Sequence, residues 1–400
     1  MGNQAFEQEH PEHPKTNNME KSVYLDYNAT TPIDPEVADE MLPYIHSFFG
    51  NPSSSYSIGR INREAVNIAR KRVADLITAN PEEIVFTSGG TESNNHAIRG
   101  IALANKKKGK HIITSSVEHP AVLEVCRHLS SMGYEITYIP VDSHGKVSPD
   151  DVENAVRSDT VLITIMHANN EVGTIQPLAE IASVAKQRNI AFHTDASQSA
   201  GKIETDVARL GVSLLTIAGH KLYAPKGIGA LYIKQGTTIE NLMFGAGQEK
   251  GIRPGTENVP YIVALGKACA ITKRDLQKNS AHMYRMRERL LLGLQQKLGT
   301  TVNLIANLEN CLPNTLSIAF KNVDAHMLTS LIGNEVFIST GSACHAGSVE
   351  ISPVLKAMNI DIMTAASTVR ISTGKFTSEE EIDLAIEAIS DKVLKYFKTT

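Results

Sequence analysis

The chain has 400 residues, 42% of them hydrophobic and 20% charged, and carries a net charge of −4. That length and composition suit a soluble two-domain protein with a large buried core. The slight acidity excludes a broad nucleic-acid or anionic-membrane footprint, and no apolar run reaches the length of a membrane span.

Residues 1–21 are polar and lack an apolar h-region. They read as a disordered tail rather than a secretory signal, and their glutamates argue against a transit peptide. Met1-Gly2 suggests myristoylation, but Phe6 stands where serine or threonine is expected. The localisation expected is cytoplasmic. Four cysteines, Cys126, Cys269, Cys311 and Cys344, are scattered without a CxxC pair. This fits a reducing compartment and argues against a zinc site or a disulfide framework.

After the tail, Val23 to Asp26 reads as a short strand. From about residue 60 to 275 helical and extended patterns alternate. Helices are expected at Arg60 to Ile77, Glu92 to Lys106, Ala121 to Ser131 and Leu178 to Arg188. Strands are expected at Ile84 to Thr87, His111 to Ser115, Ile136 to Pro140, Val161 to Met166, Ile190 to Thr194, Leu214 to Ile217 and Gly229 to Ile233. Such alternation implies an α/β domain with a mostly parallel sheet flanked by helices, and ligands in such sheets sit beyond the carboxyl ends of the strands. Pro260 to Gln277 and Ala281 to Leu298 read as long helices. Short strands (Thr315 to Phe320, Val336 to Ser339, Val369 to Thr373) and helices (Ala325 to Gly333, Ser378 to Tyr396) follow, implying a smaller α+β domain. The expected division is a large domain over residues 22–275 and a small C-terminal domain over 276–400 that carries the Cys344 loop, with the N-terminal arm packing on the small domain. The boundary near Lys278 is weakly marked, because one continuous helical region would cross it.

Lys221 and Asp195 follow successive predicted strands. A lysine that forms a Schiff base and a carboxylate that keeps a pyridine nitrogen protonated are what pyridoxal 5'-phosphate (PLP) chemistry needs. Ser88-Gly89-Gly90-Thr91-Glu92 closes a strand and opens a helix, so its free N–H groups form a phosphate cradle or an ordinary turn. His119, in Glu118-His119-Pro120, reads as a ring-stacking or proton-carrying histidine, or a solvated one. Asn170 offers an amide at another strand end. Each of these has a plain alternative: Asp195 could cap a helix, and most lysines lie at the surface. Their convergence carries more weight, because Thr91, His119, Asn170, Asp195, Gln198, His220 and Lys221 all fall at predicted carboxyl ends of strands.

These residues resemble the NifS-like cysteine desulfurases, class V of the fold-type I PLP enzymes. The resemblance runs from Tyr24-Leu25-Asp26-Tyr27-Asn28-Ala29-Thr30-Thr31 to the C-terminal helix. It includes Gly50-Asn51-Pro52-Ser53-Ser54, Thr87 to Asn94, Asn169-Asn170-Glu171, Gly219-His220-Lys221, Arg253-Pro254-Gly255-Thr256-Glu257-Asn258 and Gly341-Ser342-Ala343-Cys344. The resemblance implies that Lys221 is the Schiff-base lysine, that Asp195 pairs with the pyridinium nitrogen, that His119 stacks on the ring and that Gln198 contacts the phenolate oxygen. It places Gly90, Thr91 and His220 at the phosphate, with Thr256 reaching the phosphate of the other subunit of a homodimer. Asn170 and Arg370 would hold the substrate carboxylate, and Cys344 would take the sulfur of L-cysteine as a persulfide, for delivery to a sulfur or selenium acceptor protein. His345 either lowers the thiol pKa or is solvated, and Gly341 and Gly347 suggest a mobile loop. Two positions depart from the desulfurase pattern: Ala218 stands where many members have a phosphate-binding serine, and Tyr56 where many have histidine. Both are similar to the selenocysteine lyases of the same family, which makes L-selenocysteine the alternative substrate. A catalytically silent scaffold on this fold is a further alternative, and the intact Lys221 and Asp195 argue against it.

Overall fold

The computed structural model describes residues 22–345 and 348–399, with side chains described throughout except at 342–350 and 396–399. The expectations for residues 1–21 and for Gly347 lie outside the described residues. In chain order the first elements are β1 (Val23–Tyr24), α1 (Pro35–His46), α2 (Ser57–Ile77), β2 (Ile84–Thr87), α3 (Gly90–Ala104), β3 (His111–Ser115), α4 (Pro120–Ser131), β4 (Glu135–Ile139), α5 (Pro149–Ala155) and β5 (Thr160–Thr164). Then come α6 (Leu178–Gln187), β6 (Ala191–Asp195), α7 (Val207–Leu210), β7 (Leu214–Ala218), β8 (Gly229–Ile233) and α8 (Val259–Leu298). The remainder is β9 (Val302–Leu304), β10 (Thr315–Phe320), α9 (Ala325–Ile332), β11 (Val336–Phe337), β12 (Ser339–Thr340), β13 (Ser342–His345), β14 (Ser348–Ile351), α10 (Pro353–Ala357), α11 (Ile362–Ala366), β15 (Thr368–Ser372) and α12 (Glu379–Thr399).

A seven-stranded sheet in the order β2-β8-β7-β6-β5-β3-β4 forms the centre. β8 runs antiparallel to both its neighbours, β2 and β7, and the other strands are parallel to one another. The carboxyl ends of β2, β3, β5, β6 and β7 therefore share one edge. These strands are buried along nearly their whole length because helices cover both faces. Alternate residues point to opposite faces. Ile113, Ile163, Phe192 and Leu215 join a core with Ala69, Val73, Ile181 and Ile262 of α2, α6 and α8, while Ile112, Leu162 and Leu214 pack on Ile98, Ile101, Val122 and Leu129 of α3 and α4.

A four-stranded sheet, β12-β15-β10-β9, has its own core, in which Leu316, Ile318 and Ile371 meet Leu290, Leu294, Ile382 and Ile389. The two helices expected at Pro260 to Gln277 and Ala281 to Leu298 are one helix of 40 residues, α8, since no proline or glycine interrupts Leu276 to Ala281. Its first half packs on the large core and its second half on the small one. The N-terminal arm pairs β1 with β11 in parallel, and Asp26 bridges to Ser372, so the arm runs along the small sheet before turning into the cleft.

Candidate active site

The carboxyl edge of the large sheet opens into a cleft of about 400 Å³. Its lining includes Gly90, Thr91, His119, Asn170, Asp195, Gln198, His220, Lys221 and Arg370. The structure thus brings nine of the eleven residues singled out from the sequence into one place. Residues spread over 280 positions meet because their strands end on the same edge.

Asp195 ends β6 and is 6% exposed. Its Oδ2 accepts from Asn94 Nδ2 at 2.6 Å, and its Oδ1 accepts from the Ser197 backbone N–H at 2.9 Å. Asp195 is the one carboxylate among the cleft-lining residues. Lys221 closes a single turn, Gly219–Lys221, that follows β7. Its Nζ donates to the carbonyls of Asn28 and of Ala29, the latter at 2.6 Å. Burial lowers the Lys221 pKa to about 8, Arg370 adds repulsion, and Asp26 and Asp195 oppose the shift. A lysine so placed releases its proton far more readily than a solvated one.

His119 caps α4, and its Nδ1 accepts from the Ala121 N–H at 3.1 Å. The proton of the neutral ring is therefore on Nε2. Burial lowers the His119 pKa, so the ring is neutral near pH 7. Burial, then Lys221 and Lys226, lower the His220 pKa to about 4, and its Nδ1 lies 3.2 Å from Thr30 Oγ1. Gly90 and Thr91 open α3, where unpaired N–H groups and the helix dipole favour an anion. A Cβ on Gly90 would stand 3.0 Å from Ser197 Oγ and 3.2 Å from Ala218 Cβ, so the glycine keeps this cradle open.

Arg370 projects from β15, and its Nη2 donates to Asp26 Oδ1 at 2.6 Å and to Ser339 Oγ at 2.9 Å. Its Nη1 donates to the Asn170 carbonyl at 3.1 Å, while its Nε is buried without a partner. A guanidinium held on one side and unsatisfied at Nε is prepared for an anion.

Of the two remaining expected residues, Thr256 does not line this cleft, and for Cys344 only the backbone is described. Cys344 lies on β13, paired with Val349 of β14, and its side chain is outside the described residues. Thr256 lines a second cleft with Ser88, Gly227, Arg253 and Asn258. Arg253 anchors that segment, since its Nε donates to Glu92 Oε1 at 2.8 Å.

Other contributors were missed in the sequence. Asn94 sits one helical turn beyond Thr91, where its Nδ2 reaches Asp195. Asn28 ties the arm to both sheets: its Nδ2 donates to the Asn170 carbonyl at 3.2 Å and to Thr315 Oγ1 at 2.8 Å. Lys202, 5% exposed, donates to Gln198 Oε1 at 2.8 Å, and its position four residues after Gln198 was the available signal.

This donor set fits PLP. It offers a buried carboxylate for the ring nitrogen, a lysine of lowered pKa for the carbonyl carbon, a neutral imidazole and a helix N-terminus for the phosphate. A mostly parallel sheet with such a site at its carboxyl edge defines a fold-type I PLP enzyme.

The aminotransferase class-V family model matches residues 23–384. The chain is 46% identical over 376 residues to the cysteine desulfurase IscS of Methanosarcina thermophila, covering 94% of this chain and 93% of the relative. It is 45% identical over 382 residues to the cysteine desulfurase IscS of Dictyoglomus turgidum, covering 95% and 96%. A solved structure described as a NifS-like protein superposes with a TM-score of 0.88 at 39% identity, covering 94% of this chain and all of the other. A structure of SspA in complex with cysteine superposes with a TM-score of 0.78 at 36% identity, covering 89% of this chain and all of that one. The chain belongs to the class-V aminotransferase family and, within it, to the NifS-like group.

Proposed function

We propose that this chain is a PLP-dependent cysteine desulfurase that converts L-cysteine to L-alanine and takes the sulfur onto Cys344. The observation that carries this reading is the meeting of Lys221 and Asp195 at the ends of β7 and β6, in a cleft that also holds the buried, half-satisfied Arg370. The IscS relatives and the cysteine-bound SspA structure support the substrate.

Lys221, Asp195, His119, Gln198, Gly90, Thr91 and His220 would hold the cofactor, and Asn170 and Arg370 the substrate carboxylate. When bound, PLP supplies an electron sink for the carbanion formed at the substrate Cα. Asp195 would pair with the ring nitrogen, its carboxylate oriented by hydrogen bonds from Asn94 Nδ2 and the Ser197 N–H. Lys221 would act as the base for the Cα proton, and its lowered pKa makes the free amine available near neutral pH. The Cys344 thiolate then bonds to the substrate sulfur as the Cβ–S bond breaks. The electron pair stays with Cβ, which is protonated to give alanine, and Cys344 is left as a persulfide.

The site is shared between two subunits in this reading, with Thr256 reaching the partner's phosphate. Its place in a second cleft, away from Lys221, supports that assignment. Ala218 lines the cleft, and the chain's similarity to the selenocysteine lyases at that position keeps L-selenocysteine as the alternative substrate. Alanine release from the two amino acids, measured side by side on the purified protein, tests both. Turnover of L-cysteine that disappears in Cys344→Ala with cofactor retained is the expected result. Turnover of selenocysteine alone would overturn the desulfurase reading.

A further inference from the structure

Lys202 is a buried lysine without a counter-charge. The charged groups acting on it are Lys221 and Arg370, both cations, and no ion pair to it occurs among the described residues. Its Nζ donates to two neutral oxygens, Gln198 Oε1 at 2.8 Å and Asn28 Oδ1 at 3.2 Å. Burying an unpaired ammonium costs free energy and pushes its pKa down. An apolar side chain of the same length would pack there without that cost, so the donors themselves require an explanation.

The explanation lies in Gln198. A primary amide has nearly the same shape when turned over, and only its hydrogen bonds decide which end faces where. Here Oε1 accepts from Lys202, and Nε2 donates one hydrogen to the Asn28 carbonyl at 2.9 Å. Gln198 lines the cleft, and its Nε2 donates no second hydrogen bond among the described residues. The reversed amide would set its NH2 against the lysine donor and its oxygen against the Asn28 carbonyl. A protonated lysine can only donate and the Asn28 carbonyl can only accept, so together they accept only one orientation of the amide.

We infer that Lys202 is a positioning residue that locks the Gln198 amide with its N–H toward the cofactor's ring oxygen. The inference rests on the reading that Gln198 contacts that oxygen. A donor there draws negative charge from the oxygen and lowers the proton affinity of the nearby Lys221 nitrogen. Loss of the donor, or of its orientation, therefore raises the pH midpoint of the cofactor's visible absorbance band.

The test is a pH titration of that band in the holoenzyme, in Gln198→Ala, in Lys202→Met and in the double variant. Gln198→Ala is expected to raise the midpoint by about 0.4–1 pH unit, the worth of one hydrogen bond. Lys202→Met should move it in the same direction, and should add nothing in the Gln198→Ala background. A direct charge effect of Lys202, or a packing role, would move the midpoint equally in both backgrounds and would overturn the assignment, as would no shift in Lys202→Met. An unshifted Gln198→Ala would instead remove the reading of Gln198 on which the inference rests. Should Lys202→Met not fold, Lys202→Leu, which also removes the N–H donors, replaces it in the same cycle. A rise that vanishes in the Gln198→Ala background supports the assignment, and its absence overturns it.

Discussion

Lys221 sits where two backbone carbonyls hold its amine and burial weakens its hold on the proton. The free amine is the form that attacks the cofactor's aldehyde. Capture of PLP by cofactor-free protein should therefore speed up with pH through a midpoint near pH 8, where a solvated lysine would reach its midpoint only at about pH 10. Stopped-flow absorbance across pH 6.5–10 reads this directly, and a midpoint near 10 would show that the site does not depress the lysine. Glu118, beside His119, behaves in the opposite sense. Its Oε1 accepts from Ser115 Oγ at 2.6 Å and from the Met166 N–H at 2.8 Å, but its Oε2 is buried with no partner. Burial raises its pKa from 4.5 to about 8. The folded value lies above the unfolded one, so the stability tied to its protonation is full below about pH 4.5 and is lost as the pH rises through about 8. Glu118→Gln stays neutral throughout. Between pH 5 and pH 8 it should gain on the parent by about 1–3 kcal/mol in urea unfolding, and a pH-independent difference would refute the shift.

Among the elements, α2 and α8 show how closely the layers meet. A Cβ on Gly266 of α8 would stand 2.5 Å from Ala69 Cα of α2. Helix propensity alone predicts that Gly266→Ala stabilises by about 1 kcal/mol. The contact reverses the sign, and a loss of about 1–3 kcal/mol is expected, read as a lower Tm. A stabilised variant would mean that the helices move apart freely. The same comparison of local preference with contact explains what the sequence disclosed. β3, β5, β6 and β7 are short apolar runs between turn residues, so their pattern was legible, and with it the edge where the site residues collect. α1 was not anticipated, although Asp34 and Pro35 begin it and Val37, Met41 and Tyr44 face the core at helical spacing, because Pro43 lies inside it. Asn94 and Lys202 were passed over for a different reason. Their value lies in partners brought close by the fold, such as Asp195, 101 positions from Asn94, and Asn28, 174 positions from Lys202, and periodicity carries no trace of such pairs.

At the scale of the whole molecule, one subunit brings together all of the described residues proposed to hold the cofactor and the substrate carboxylate except Thr256. If Thr256 serves the partner's phosphate, each site takes Lys221 from one subunit and Thr256 from the other. A hybrid of a Lys221→Ala subunit with a Thr256→Ala subunit then has one site with both lesions and one with neither. Random re-association of equal amounts makes about half the dimers hybrids, each with one of its two sites intact, so about a quarter of the parental activity should return. If Thr256 acts within its own subunit, every site in the mixture carries a lesion, and activity stays at the mean of the two variants measured apart. Thr256→Ala on its own should weaken PLP retention by about tenfold, as loss of one charge-assisted phosphate hydrogen bond would do. That loss is common to both arrangements, so the recovered quarter alone decides whether the active site is built by one chain or by two.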